Sequence, residues 1–302
     1  MFNPIFGPLK SRRFGWSLGI DVSGQAKQCN FDCLYCELTA HKPTARMQNV
    51  LPPDFLLNAL KRALEKITTP LNVLTTTANG EPTLYPHLKE LIIGMQALVP
   101  SGVQTLILSN GSRLGVPEVQ EALMHYNMVK FSLDAVCKKV FSRVDRPHKD
   151  LSLEKILNGI LDFAQKYRGF LVAEVLLVAG VNDSEAHIKD LASFLRRVPN
   201  LARVDLSTID RPPAYKAKPL ETTKLQELAA HFQDLPLSLP QRVLEQTQVQ
   251  STKEAFLELL RCRPLSVEEA RCYLNIAELQ ELQKTGLLQI KQVGQMHFYY
   301  YT

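Results

Sequence analysis

Six short β-rich runs recur along the first three quarters of the chain, with an amphipathic stretch between each pair. They are WSLGIDV (16–22), NVLTTTA (72–78), VQTLILS (103–109), MVKFSLD (128–134), FLVAEVLLV (170–178) and RVDLSTI (203–209). After Asp54, a good capping residue, Leu56, Leu57, Leu60, Ala63, Leu64 and Ile67 repeat at helical spacing over 54–67. The same pattern predicts helices over 86–99, 116–126, 151–167, 184–198 and 221–235. Strands that alternate with helices run parallel, because the helix carries the chain back to the starting edge. Six such units are fewer than the eight of a closed barrel. Periodicity therefore leaves two α/β architectures open, a doubly wound sheet and a partial barrel. Both bind ligands beyond the C-terminal ends of the strands, so the loops that follow each strand are where to look.

After about residue 236 the pattern changes, which divides the chain into a core domain (1–235), a Pro- and Gln-punctuated linker (236–250) and a small domain (251–302). The last segment reads as helix, turn, helix, helix and two strands around Gly294, the pattern of a winged helix. Its cations Lys253, Arg261, Arg263, Arg271, Lys284 and Lys291 are balanced by Glu254, Glu258, Glu268, Glu269, Glu278 and Glu281. A neutral module has no surplus charge for phosphate binding, so it is expected to pack or to dock protein. The aromatic tail HFYYY (297–301) could stack bases, but alternating aromatics on a strand more often fill a core.

No apolar run reaches the roughly 18 residues that span a bilayer, and the N-terminus has no export signal. Six cysteines, three clustered and three scattered, do not make a secreted disulfide framework. The expected compartment is the cytoplasm, with no membrane partner. Apolar residues at 45% and charged residues at 22% are ordinary for a soluble enzyme, and a net charge of +5 decides nothing alone.

The chemistry concentrates in KQCNFDCLYCELTAH (27–41), directly after the first run, where Cys29, Cys33 and Cys36 fall within eight residues. Thiolates bind soft metals. A C-x3-C-x2-C spacing can hold three irons of a 4Fe-4S cluster and leave the fourth iron open to an external chelator. The alternative is a Cys3His zinc site completed by His41. Cys137 is a weaker candidate for a ligand or catalytic role, and Cys262 and Cys272 read as buried fillers.

Cys29, Cys33 and Cys36, with Tyr35 before the third cysteine and a strand in front, resemble the signature of the radical S-adenosylmethionine (radical SAM) superfamily. The resemblance covers roughly residues 6–235 and implies a partial (β/α)6 barrel. It also implies a 4Fe-4S cluster whose open iron is chelated by SAM, reductive cleavage to a 5′-deoxyadenosyl radical, and an electron donor such as flavodoxin or ferredoxin. By the same resemblance Tyr35 lies against the adenine. ANGEPT (78–83) is similar to the family's Gly-Gly-Glu-Pro motif, with Asn79 in place of the first Gly. Gly80, Glu81, Pro82 and Thr83 are therefore assigned to the methionine end of the cofactor, where a carboxylate suits the ammonium. Asn110 in SNGS (109–112), Ser132 and Asp134 in FSLDA (131–135), and Val178 in EVLLVAGVND (174–183) complete the cofactor set. Each also has a plain reading as turn or cap chemistry. FGPLKSRRFGWSLGID, GEPTLYP, RPH (146–148) and DRPPA (210–214) resemble the bacterial branch related to the wyosine-base synthases of tRNA. Those synthases carry a further cysteine set upstream, and here no cysteine precedes Cys29.

Lys138, Lys139, Arg143, Arg146 and Lys149 follow the fourth run against Asp145 alone. Arg211, Lys216 and Lys218 follow the sixth, and Lys10, Arg12 and Arg13 precede the first. A basic rim suits an anionic substrate. A nucleoside in tRNA is the leading expectation, with Arg12, Arg13, Arg146 and Arg211 as substrate contacts. The alternatives are a protein or peptide side chain as target, and a non-enzymatic zinc-binding winged-helix regulator.

Overall fold

The computed structural model describes residues 3–11, 13–240, 251–262, 264–293 and 296–302. Arg12, Gly294 and most of the expected linker (241–250) lie outside the described residues.

Eight strands form one sheet in sequence order: β1 (Ile5–Ser11), β2 (Gly15–Asp21), β3 (Val73–Thr77), β4 (Gln104–Ser109), β5 (Met128–Ser132), β6 (Phe170–Leu177), β7 (Leu201–Thr208) and β8 (Leu237–Ser238). From β2 to β8 every neighbouring pair is parallel, while β1 runs antiparallel to β2. Unbroken order with parallel registers curls the sheet into the TIM-like core of a partial barrel, left open between β1 and β8. The six predicted strands are β2 to β7, each within two residues of its expected bounds. The crossovers are α1 (Pro53–Leu64), α2 (Leu88–Gln96), α3 (Pro117–Leu123), α4 (Lys138–Val144), α5 (Leu153–Lys166), α6 (Glu185–Arg196) and α7 (Thr222–Ala229).

Helix α5 shows why these segments are helical. Ser152 caps the Lys155 N–H, and Ile156, Ile160, Phe163 and Ala164 form one buried stripe against the sheet. Each large apolar residue so buried contributes roughly 1.5–3 kcal/mol.

Three elements of the large sheet and its crossovers were not expected. Strand β1 escapes a period-two reading because its register shifts between Phe6 and Leu9, around Gly7-Pro8. It is nonetheless fixed in place: a Cβ on Gly19 of β2 would stand 2.2 Å from the Phe6 ring, so only glycine lets Phe6 cross there. Helix α4 is too short to show a helical stripe, and β8 lies in what reads as linker.

The C-terminal residues build α8 (Lys253–Cys262), β9 (Leu265–Ser266), α9 (Val267–Arg271), α10 (Ile276–Lys284), β10 (Leu288–Val293) and β11 (Met296–Tyr301). The three strands pair in the order β10-β11-β9. Capping boxes at Ser266/Glu269 and Asn275/Glu278 start α9 and α10. The core of this module, including Phe256, Leu259, Leu265, Leu279 and Leu282, incorporates Leu9 of β1. The module is thus packed on the barrel's first strand, and the Tyr273 hydroxyl donates to the Pro8 carbonyl at 3.3 Å. Among the described residues no helix is long and apolar enough to cross a membrane.

Candidate active site

The cysteines lie on the irregular segment between β2 and α1, where shape must come from side-chain and long-range backbone bonds. Gln28 supplies both kinds. Its amide donates to the Ser23 carbonyl (2.8 Å) and accepts from Gln48 N (2.6 Å) and Asn49 N (2.9 Å). Its backbone forms a parallel bridge with Gly80: Gln28 N donates to Asn79 O (2.8 Å) and Glu81 N donates to Gln28 O (3.0 Å). Gly80 has φ +141°, and a Cβ there would meet Gln28 O at 2.0 Å. A glycine is required because the two backbones touch.

On the other side, the chain after α4 clamps the same loop. Asp32 N bonds Asp145 O (3.1 Å), Leu34 N bonds Val144 O (2.8 Å) and His148 N bonds Asn30 O (2.8 Å). Arg146 takes φ +45°, and its Nε donates to Asp32 O at 2.6 Å.

The sulfurs face donors from three directions. Phe31 N (3.4 Å) and Asn110 Nδ2 (3.7 Å) point at Cys29 Sγ, and Lys27 Nζ (3.4 Å) points at Cys36 Sγ. Cys33 Sγ donates to Asp145 Oδ1 at 3.8 Å. In the metal-free loop, burial and then the nearby Glu81 charge push the Cys29 thiol up to about 12. Burial likewise raises Cys33, with Asp145 adding to it, and raises Cys36, with Lys27 opposing. The thiols therefore need a cation to become thiolates.

Glu81 is 1% exposed, and its carboxylate is turned on its own chain. It accepts from Thr83 N (3.0 Å), Thr83 Oγ1 (2.6 Å), Ser109 Oγ (2.8 Å) and Asn110 N (2.6 Å). Burial raises its pKa while those four bonds lower it. The Gly-Glu-Pro turn, which continues into a short 3-10 helix at Pro82–Leu84, is locked to the end of β4 and so to Asn110.

Tyr35 donates its hydroxyl to Asp134, which also accepts from Leu176 N at 2.7 Å. Asp134 in turn hydrogen-bonds Asp145. Burial pushes Asp134 up to about 7, and it raises Asp145 well above the carboxylate range, the Asp134 charge adding to the effect. The folded pair thus holds a proton that the unfolded chain would release above about pH 4. Folded pKa values above unfolded ones mean stability that is full below about pH 4 and lost as pH rises through the folded values, about 7 for Asp134. Asp145→Asn is expected to flatten that loss in the metal-free protein and to add about 1–3 kcal/mol at pH 8. Denaturant midpoints measured across pH check this, and an unchanged slope would contradict it.

The other expected residues fall as follows. Ser132 ends β5, partly buried. Val178 has no exposed surface and its N–H is taken by Asn182 Oδ1 (2.7 Å); Leu176, two residues earlier, lines the interior. Arg13 sits in the β1–β2 turn, at the far end of the strands from the cysteines, paired with fully buried Asp205. Arg146 is stacked 3.6 Å over the Tyr215 ring. Arg211 pairs with Glu37 (3.3 Å) and Glu269 (3.4 Å). None of these three is a free cation, because each is absorbed by partners distant in sequence. His41 Nε2 contacts Cys29 O at 3.0 Å and Nδ1 faces Asp32 at 3.7 Å. Cys137 is exposed before α4. Among the described residues no three His, Cys, Asp or Glu side chains converge as the donors of a single ion do. With its ring nitrogens engaged by Cys29 O and Asp32, His41 does not face the thiols as the fourth ligand of the zinc reading.

Sequence reasoning missed Lys27, Asp32, Asp145 and Tyr215. Lys27 stands two residues before Cys29 and was legible as a cation for a thiolate. The others are visible only once the chain is folded.

A cavity of about 1060 Å³ fills the barrel interior and reaches this loop at Glu37 and Leu38 and the Gly-Glu-Pro turn at Asn79. That volume is at the upper end of what small-ligand sites occupy, enough for a cofactor and part of a second molecule.

The profile of the Radical SAM superfamily matches residues 26–194. A UPF0026 protein of Helicobacter pylori is 50% identical over 98% of this chain and 96% of its own. A UPF0026 protein of Methanocaldococcus jannaschii is 32% identical over 76% of this chain and 71% of its own. Among solved structures, TYW1 with a lysine-pyruvate adduct bound superposes with a TM-score of 0.53, at 21% identity over 76% of each chain. A radical SAM methyltransferase from Sphaerobacter thermophilus gives 0.54, at 17% identity over 74% of this chain and 66% of that one.

Proposed function

The chain belongs to the radical SAM superfamily, and on that premise we propose that Cys29, Cys33 and Cys36 hold its cluster and that its substrate is a nucleoside within tRNA. Enzymes of this family use a 4Fe-4S cluster and SAM. The residues here fit that pair. Three thiols sit on one loop, Cys29 buried and Cys33 and Cys36 half-buried, with N–H donors aimed at two of the sulfurs, and the ring nitrogens of His41 are engaged by Cys29 O and Asp32. This three-donor set, with no fourth protein ligand among the described residues, is the observation that carries the reading.

When bound, the cluster supplies the electron that splits the sulfonium of SAM. The chain's own groups bind and orient. Tyr35, held by Asp134, presents its ring beside the third cysteine. Gly80 brings the 79–83 backbone against the cysteine loop, and Glu81 fixes Asn110 at the end of β4. Lys27 offsets thiolate charge at Cys36. In the interior, Lys130 and Arg203 are set against Glu174 and Asp205. A mixed-charge lining does not suit a bare phosphate, so the base enters and the phosphates stay outside.

Lys138, Lys139 and Arg143 on α4, with Lys149 after it, are exposed. Arg143 reaches the Gly180 carbonyl (3.2 Å), which places α4 beside the loop that follows β6. These groups supply the cationic surface that a polyanion requires. Anaerobic reconstituted protein with SAM, reductant and bulk tRNA is expected to form 5′-deoxyadenosine faster than without RNA. Between 50 and 200 mM salt, four such contacts would lose on the order of a hundredfold in RNA affinity. Turnover that ignores RNA but rises with a peptide extract would transfer the assignment to a protein side chain.

A further inference from the structure

The loop after β7 is strapped across the cysteine loop at three points. Ala214 N donates to Cys36 O at 2.8 Å. The Tyr215 hydroxyl donates to Asp32 Oδ2 at 2.5 Å, beneath the Arg146 guanidinium. Arg211 Nη1 meets Glu37 Oε2, one residue past Cys36, at 3.3 Å.

The same guanidinium continues into the C-terminal module. Arg211 Nη2 bonds Glu269 Oε1 at 3.4 Å, while Glu269 Oε2 accepts from Ser266 N (2.9 Å) and closes the capping box of α9. The Arg211 side chain is only 14% exposed, and the flanking carboxylates are 34% and 31% exposed. One cation thus joins three segments, and its planar fork lets it serve two carboxylates at once.

The module also borders the interior. Glu258, Arg261, Glu269 and Tyr301 line the same cavity as Glu37 and Leu38. Residues of β1 (Phe6, Leu9) and of the segment at β8 (Ser238, Leu239) line it too, which locates the module at the open side of the barrel. Arg261 is held there by Glu258 (2.6 Å) and by the Tyr301 hydroxyl (2.7 Å).

We propose that the C-terminal module is a fixed wall of the catalytic cavity, and that Arg211 is a positioning residue that holds the Cys36 end of the cysteine loop against that wall through Glu37 and Glu269. The second half rests on Cys36 being a cluster ligand. Without Arg211, two carboxylates lose the cation they share, and the loop end and α9 lose that tie. The module is then part of the active site and not an appended docking domain.

The test uses the full-length protein and the variants Arg211→Met, Arg211→Lys and Glu269→Gln. Hydrogen exchange is read first on metal-free protein. In Arg211→Met, amides of 34–40 and of 267–271 are expected to exchange about tenfold faster together, with Arg211→Lys intermediate. Glu269→Gln should loosen 34–40 as well, although it lies in the other module. In reconstituted enzyme, KM for SAM should rise roughly 10- to 100-fold in Arg211→Met, with kcat changed less than about threefold. Wild-type exchange at 34–40 in both Arg211→Met and Glu269→Gln would overturn the proposal. So would loosening confined to 208–213. If the wild type binds no iron, the cluster assignment fails, while the exchange comparison still decides the tie.

Discussion

Alanine in place of Cys29, Cys33 or Cys36, one at a time, is expected to give a folded protein that retains little iron and forms 5′-deoxyadenosine only at background. The three thiols are not interchangeable with their surroundings. Cys29 is 9% exposed, Cys137 is exposed before α4, and Cys272 is half-buried at the end of α9. Two ligands cannot hold a cluster that three hold with one position open. The loop itself should survive, because its shape comes from Gln28, the Gly80 bridge and the α4 clamp. Circular dichroism and the denaturant midpoint would then stay close to wild type in metal-free samples, a stability change of less than about 1.5 kcal/mol. Iron per chain and the cluster absorbance would fall in all three variants. A variant that kept its full iron load and its cleavage rate would remove that cysteine from the ligand set. Cys137→Ala, by contrast, should change neither, since Cys137 is exposed before α4.

The second large effect is one of backbone contact. Gly80→Ala would put a methyl 2.0 Å from Gln28 O and 2.4 Å from its carbonyl carbon, at a φ of +141° that L-residues rarely adopt. Neither atom is the end of a flexible side chain, so relief requires separating the Gly-Glu-Pro turn from the cysteine loop. That would break the Gln28–Asn79 and Glu81–Gln28 bonds and tilt the Glu81 carboxylate out of its four-donor nest. A loss of about 3–5 kcal/mol is expected, from strain plus buried groups left unpaired. Equilibrium urea unfolding measures it, and any surviving folded fraction should bind SAM weakly. Gly102→Ala is the control: it also has a positive φ, +82°, but nothing lies within 4 Å, so only the conformational cost of about 1 kcal/mol should appear. Equal losses at the two positions would show that the contact with Gln28 is not what selects glycine.

The contrast between what sequence patterns reveal and what they hide follows from range. Strands β2 to β7 and all the crossover helices but α4 declare themselves through local periodicity, and all the chemistry-bearing motifs sit where a parallel sheet places loops. Local signals failed where an element breaks its own period, as β1 does at Gly7-Pro8, or is too short to have one, as with α4. Asp145 was legible only as a lone acid among cations. Its place beside Cys33 and Asp134 depends on α4 folding back onto the cysteine loop. The substrate cations show the limit most clearly. Arg211 and Glu37 are 174 residues apart, and Arg146 and Asp32 are 114 apart. A basic residue in a loop looks free in a sequence until its partner is known. The neutral charge of residues 251–302 pointed away from nucleic-acid binding, but nothing in those residues alone indicates that Glu258, Arg261 and Tyr301 border the barrel interior. That relationship is carried by Leu9, a β1 residue placed in the core of the other module.

The most direct measurement is electron–nuclear double resonance on the reduced, reconstituted protein with SAM labelled with 15N at its amino group and 17O at its carboxylate. Couplings from both labels to a 4Fe-4S centre, lost when Cys29, Cys33 or Cys36 is replaced, are the predicted result. One tightly bound zinc and no iron, or a cluster coupled to the ring nitrogen of His41 and indifferent to labelled SAM, would contradict it.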